Sequence, residues 1–170
     1  MSTIIKRRTV LAGMAGTAAL TTFGPSFAQD GEGTVHEVGM YTRDPENPRN
    51  LQVYIPALLA IQPGDTVRWL PENPGHNTES IPEMIPEGAE NWKGDINREF
   101  EKTFTIPGVY GYKCTPHYAA GMVGLIIVQG EGVTDNLEAA RSVEHRGRLA
   151  PQRFEEMFAR AEEEGLLTTG

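Results

Sequence analysis

The chain has 170 residues with 15 basic and 23 acidic side chains, a formal net charge of −8. That length suits one modest domain whose core needs no metal to fold. The excess of acid disfavours nucleic acid and anionic membranes as partners, and the single cysteine, Cys114, excludes an internal disulfide.

The chain opens with Lys6-Arg7-Arg8, an apolar run from Val10 to Phe23, and Ser26-Phe27-Ala28 before a polar stretch. This is the layout of an export leader over residues 1–28. The run is too short and too weakly apolar to span a membrane, and adjacent arginines before Thr9-Val10-Leu11 are similar to a twin-arginine signal. No cysteine lies near Ala28, so a lipid anchor is not expected and the processed chain should reside in the periplasm. Removing Lys6, Arg7 and Arg8 from the 15 basic residues leaves 12 against 23 acidic, or −11. Glu155, Glu156, Glu162, Glu163 and Glu164 crowd the tail, so the net value describes no particular face.

From Thr34 to Gln129 short β-prone runs alternate with Pro/Gly/Asn turns, the pattern of an all-β sandwich. Strands are expected at Val35–Met40, Leu51–Tyr54, Leu58–Ile61, Thr66–Leu70, Phe100–Ile106, Val109–Lys113 and Val123–Val128. Gln62-Pro63-Gly64-Asp65 and Ile106-Pro107-Gly108 supply turn chemistry. Pro56 should bend the chain, because a central strand does not tolerate proline. Ile81 to Gly94, with its prolines, reads as a loop with one helical turn. Beyond Gly130, Thr134-Asp135 can cap a helix to about Val143, and Pro151 can open a second to about Glu164. Phe154, Met157 and Phe158 form an apolar stripe that should dock on the sandwich. The expected organisation is a leader (1–28), a sandwich domain (29–130) and a helical extension (131–170).

Chemistry concentrates at Cys114-Thr115-Pro116-His117, followed by Met122, with a fourth donor upstream in Pro74-Gly75-His76-Asn77. Taken singly, a cysteine is usually a small buried hydrophobe, a methionine a gap filler and a histidine solvated. Together, a thiolate, two imidazoles and a thioether form the ligand set of an electron-transfer copper site. His76 should anchor the site from a second segment, making it rigid. His36 and His145 have no soft donor beside them and are expected to be structural or solvated. A copper enzyme would need a second centre with several further histidines, often directly beside the cysteine, whereas the chain has four in all and Thr115 follows Cys114. A closed four-ligand site also lacks the open position that catalysis requires. The alternative from another class is a periplasmic copper storage or delivery protein, because the same ligands hold Cu(I); zinc fits poorly, since methionine is a weak ligand for it.

Four segments, Pro63-Gly64-Asp65-Thr66-Val67, Gly75-His76-Asn77-Thr78-Glu79-Ser80, Met84-Ile85-Pro86-Glu87-Gly88-Ala89-Glu90 and Tyr112-Lys113-Cys114-Thr115-Pro116-His117-Tyr118, closely resemble the pseudoazurins, a cupredoxin family. The resemblance implies an eight-stranded Greek-key β-sandwich with two C-terminal α-helices. It implies one type 1 copper ion held by His76, Cys114, His117 and Met122. It further implies a monomeric carrier that delivers electrons to a redox protein such as nitrite reductase, with c-type cytochromes as candidate donors. In that family the second histidine reaches the surface through an apolar patch, here Pro116, Ala119, Ala120 and Pro71, which Lys113, Lys93 and Lys102 would ring. The acidity of this chain departs from the lysine-rich habit of the family. Around the ligands, Asn77 is expected to bond Thr115, the Asn77 N–H to approach the Cys114 sulfur, and Pro116 to offer no donor.

Overall fold

The computed structural model describes residues 33–168, so the expected leader lies outside the described residues. Among them the chain forms strands β1 (Val35–Arg43), β2 (Leu51–Ile55), β3 (Leu58–Ile61), β4 (Thr66–Leu70), β5 (Glu79–Ser80), β6 (Phe100–Thr103), β7 (Gly108–Lys113) and β8 (Val123–Val128), then helices α1 (Leu137–Arg141) and α2 (Leu149–Glu163). The strands make two four-stranded sheets, ordered β2-β1-β4-β6 and β3-β8-β7-β5. This is the expected cupredoxin sandwich. Pro56 marks the crossing from one sheet to the other: β2 pairs with β1, and β3 pairs with β8 in the opposite sheet.

Period-two patterning decides which faces are buried. In β4, Val67 and Trp69 are fully buried while Thr66, Arg68 and Leu70 are only partly so. In β8 every residue is buried, because both of its faces are covered. Ile126 and Val128 enter the core between the sheets, with Trp69, Tyr54, Tyr110 and Tyr112. Leu125 and Ile127 point the other way, onto Phe154, Met157 and Phe158 of α2. The expected stripe therefore docks on the outer face of this sheet. The outer face of the other sheet carries Arg68, which pairs with Glu37, Glu99 and Glu101. Exposed pairs of this kind contribute about 0–1 kcal/mol each.

Several boundaries differ from expectation for local reasons. β1 runs on to Arg43, and β5, only two residues long, is too short to show alternation. β6 stops at Thr103 because Phe104 exchanges backbone hydrogen bonds with the Gly64–Asp65 turn. The helical turn in the proline-rich loop is a 3-10 turn at Pro82–Met84. α1 begins at Leu137, without the expected Thr134-Asp135 cap. The adjoining Asn136 gives its side chain instead to both backbone groups of Val109, at 2.9 and 2.7 Å. α2 begins two residues before Pro151, which is tolerated there because N–H groups of a first helical turn have no intrahelical partner.

At the end of the sandwich formed by the Gln62–Asp65 turn, the buried Asp65 carboxylate accepts the N–H groups of Thr34 (2.8 Å) and Gln62 (2.9 Å) and pairs with His36 Nε2 (2.9 Å). His36 is thus structural. Burial alone would raise the Asp65 carboxyl, but the Gln62 amide, the His36 ring and the Thr34 amide together hold it below its ordinary value. Asp65→Ala strands two amides and should lower the unfolding free energy by about 1–3 kcal/mol. The wild-type advantage over this variant should be complete above the ordinary carboxylate pKa of about 3.9. It should decline as pH falls through the lower folded value, as urea titrations at stepped pH will measure.

Candidate metal centre

At the opposite end of the sandwich β7 and β8 are joined by residues 114–122. The pairing Lys113↔Val123 is extended by one hydrogen bond, from the Cys114 N–H to the Met122 carbonyl at 2.9 Å. Inside this closed hairpin the His117 N–H donates to the Cys114 carbonyl (3.2 Å) and the Met122 N–H to the His117 carbonyl (3.1 Å). Three of the four predicted residues meet directly. Cys114 Sγ lies 3.5 Å from His117 Nδ1 and 3.8 Å from His76 Nδ1, and the two Nδ1 atoms are 3.2 Å apart. Met122, fully buried, joins Cys114 in the core between the sheets.

The donor set fits a metal ion on two counts. Nitrogen and sulfur ligands lie about 2.0–2.3 Å from a first-row ion, so three of them in a plane stand about 3.5–4 Å apart, close to the spacings found. Both imidazoles are also held neutral. Burial, then the neighbouring His117, pulls His76 down to about 4, and burial lowers His117. Burial raises the Cys114 thiol, with the N–H groups of Asn77 and His117 acting against it. The thiolate is therefore best stabilised by a cation beside it.

Surrounding polar groups aim these side chains. His76 Nε2 lies 3.0 Å from Thr42 Oγ1, and an Nε2–H donated there leaves the Nδ1 lone pair facing Cys114. Asn77 is paired with Thr115 as expected: its Oδ1 accepts the Thr115 N–H (2.8 Å) and its Nδ2 donates to Thr115 Oγ1 (3.0 Å) and to the Gly94 carbonyl (3.0 Å). Tyr54 donates its hydroxyl to the Asn77 carbonyl at 2.6 Å. Asn97 flanks His76 on the other side, giving its N–H to the His76 carbonyl (2.9 Å) and accepting the Gly75 N–H (2.5 Å). Thr42 and Asn97 carry no signal in the sequence, because each reaches the site from a distant segment.

Residues 46–129 match the sequence model of copper binding proteins, plastocyanin/azurin family. The chain is 44% identical over 112 residues to pseudoazurin from Methylorubrum extorquens, covering 66% of this chain and 74% of that one. It is 40% identical over 128 residues to pseudoazurin from Paracoccus pantotrophus, covering 75% and 81%. The chain belongs to the pseudoazurin family. The solved structure of pseudoazurin from Methylobacterium extorquens AM1 superposes with a TM-score of 0.68 at 41% identity, over 74% of this chain and 98% of that one. As a pseudoazurin the chain is a copper electron carrier and not an enzyme, its cofactor is one type 1 copper ion, and it works with other redox proteins.

The surface around His117 is partly as expected. His117 is half-buried, while Pro116, Ala119 and Ala120 are exposed and Pro71 is half-buried. A depression lined by Thr115, Pro116, Tyr118 and Ala119 is flanked by Lys93, Lys113 and Arg146. Lys102 does not join them. Its ammonium lies 5.8 Å from the centroids of both Trp92 and Phe104, where cation–π attraction and the β6 register hold it. Arg146, from the segment between the helices, stands there in place of Lys102. His145 is structural: its Nδ1 lies 2.8 Å from the Tyr118 hydroxyl and its ring stacks on Phe154 at 4.3 Å.

The depressed His76 value sets a pH dependence in the metal-free protein. Folded His76 takes up a proton only near 4, whereas an ordinary histidine does so near 6.5. The unfolded state therefore binds more protons in that window, and stability should fall as pH is lowered from 6.5 towards 4. His76→Gln should remove this residue's share of the slope, read from unfolding free energies of the metal-free proteins across that range.

Proposed function

We propose that His76, Cys114 and His117 hold the copper ion in a trigonal plane with Met122 as the axial ligand, and that the chain shuttles electrons in the periplasm to a denitrification reductase such as nitrite reductase, with a c-type cytochrome as donor. The observation that carries this reading is the convergence of one thiol and two imidazoles at mutual distances of 3.2, 3.5 and 3.8 Å. Copper, when bound, supplies a one-electron couple between Cu(II) and Cu(I). The protein's part is to change little between them. Cys114 and His76 are anchored on different segments, and Asn77 with Thr115 ties those segments together. This two-sided anchoring favours a carrier over a copper delivery protein, which must open its site to release the ion. The proposal includes residues 1–28 as a twin-arginine-like leader, residues 29–130 as the copper domain and residues 131–170 as its extension.

His117 is the one of the four residues that reaches the surface, and the small exposed groups of Pro116, Ala119 and Ala120 permit close approach of a partner. Contacts of that size release quickly, which suits a shuttle. Glu79, which burial alone would raise, is held below its usual value by the Thr115 hydroxyl, Lys113 and Lys93. It offsets part of the positive charge of Lys93, Lys113 and Arg146, and a positive remainder steers an acidic partner towards His117.

The copper-loaded protein should show an intense blue or blue-green thiolate-to-copper absorption, lost in Cys114→Ser; a colourless Cu(II) form would overturn the assignment. Reversing charge with Lys113→Glu and Arg146→Glu should slow electron transfer to a copper nitrite reductase roughly tenfold at low salt. The difference should shrink as ionic strength rises. Equal rates in stopped-flow mixing at every salt concentration would remove these two residues from the docking face.

A further inference from the structure

The C-terminal extension braces the ligand hairpin from outside, and the brace converges on one side chain. Arg153, half-buried on α2, donates from Nη1 to the carbonyls of Gly121 (2.6 Å) and Gln52 (2.7 Å). Its Nη2 donates to Asn50 Oδ1 (2.7 Å) and the Leu51 carbonyl (2.9 Å). Both segments it grips have unusual backbones: Gly121 lies at φ +86° and Gln52 at φ +54°. A Cβ on Gly121 would stand 2.7 Å from Leu149 Cβ, so the start of α2 presses directly on this residue. Gly121 is the residue immediately before Met122. Other contacts from the extension, His145 on Tyr118 and Gly147 against Ala119, brace the middle of the hairpin.

We propose that Arg153 is a positioning residue for the axial end of the copper site: by holding the Gly121 carbonyl against the start of β2, its guanidinium fixes the Gly121–Met122 peptide and with it the place from which Met122 reaches inward. The inference rests on the assignment of Met122 as the axial ligand. A planar fork suits this task, because one nitrogen bridges two carbonyls while the other holds the Asn50 side chain and the Leu51 carbonyl. The axial ligand tunes the potential of such a site, so a helix that supplies none of the four ligands has a grip on the redox property.

The test compares Arg153→Gln and Arg153→Lys with Arg160→Gln, a control on the same helix whose guanidinium pairs with Glu164 at 2.6 Å. In Arg153→Gln the intensity ratio of the two thiolate-to-copper absorption bands should shift, and copper affinity should fall about tenfold. In the metal-free form the Cys114 amide, bonded to the Met122 carbonyl, should exchange its hydrogen faster. Arg153→Lys should shift the ratio less, and Arg160→Gln should match wild type. A folded Arg153→Gln with lowered thermal stability but wild-type band ratio and affinity would show a purely structural brace and overturn the proposal. If Arg153→Gln does not fold, Arg153→Lys decides, and an unshifted ratio there overturns it equally. Met122→Leu separates the two claims. A wild-type spectrum in Met122→Leu sinks the axial assignment and this inference together, whereas an altered spectrum with silent Arg153 variants sinks the inference alone.

Discussion

One hydrogen bond organises this end of the molecule: the Cys114 N–H donated to the Met122 carbonyl at 2.9 Å. It carries the β7–β8 ladder one step past the Lys113–Val123 pair and so closes the intervening residues into a hairpin of fixed width. Because side chains alternate along a strand, the register that buries Ile126 and Val128 between the sheets also decides that Cys114 and Met122 face inward there. A slip of one residue would turn the sulfur out to solvent. Sheet register, a matter of apolar burial, thereby fixes metal chemistry.

A site made from one hairpin would still be free to move against the rest of the sandwich. His76 removes that freedom, since it arrives between β4 and β5, from the turn that Asn97 clamps and Asn77 ties to Thr115. The buried Asn77 amide uses both of its side-chain atoms and its backbone carbonyl. Its loss would leave the buried Gly94 carbonyl and the part-buried Thr115 N–H without their partners, a buried unsatisfied group costing about 1–3 kcal/mol. The exposed Arg68 cluster contains more formal charges and contributes far less. Burial, not the number of charges, decides which polar contacts hold the structure.

The convergence of Cys114, His117 and His76 was legible because a lone cysteine has a histidine and a methionine within nine residues, and the Asn77–Thr115 tie because Asn77 adjoins His76 and Thr115 adjoins Cys114 in sequence. The sandwich was legible from period-two alternation, and the docking helix from the Phe154, Met157, Phe158 stripe. What escaped shares one cause, that the partner lies far along the chain. Thr42 meets His76 across 34 residues, and Arg153 reaches Gly121 across 32 and Leu51 across 102. Neither threonine nor arginine is distinctive by type, so no local pattern marks them. The α1 start was misplaced for the same reason, since the Asn136 side chain serves Val109 rather than its own helix. Lys102 was assigned to the wrong face because strand register, not proximity in sequence, sets which way it points.

The acidity of the chain is not spread evenly over its surface. Glu37, Glu99 and Glu101 lie on the outer face of the β2-β1-β4-β6 sheet around Arg68, and Glu155, Glu156, Glu162, Glu163 and Glu164 lie on or just after α2. Lys93, Lys113 and Arg146 gather instead beside the hairpin. With a Debye length of about 8 Å at physiological salt, fixed charges farther apart than that are largely screened from one another, so the acidity of one face says little about the potential at another. A chain of net charge −8 therefore still carries a local cluster of basic side chains beside the hairpin. Arg146 belongs to the same extension that holds Gly121. One C-terminal segment thus contributes both a basic side chain to the rim of the hairpin and the guanidinium that holds Gly121.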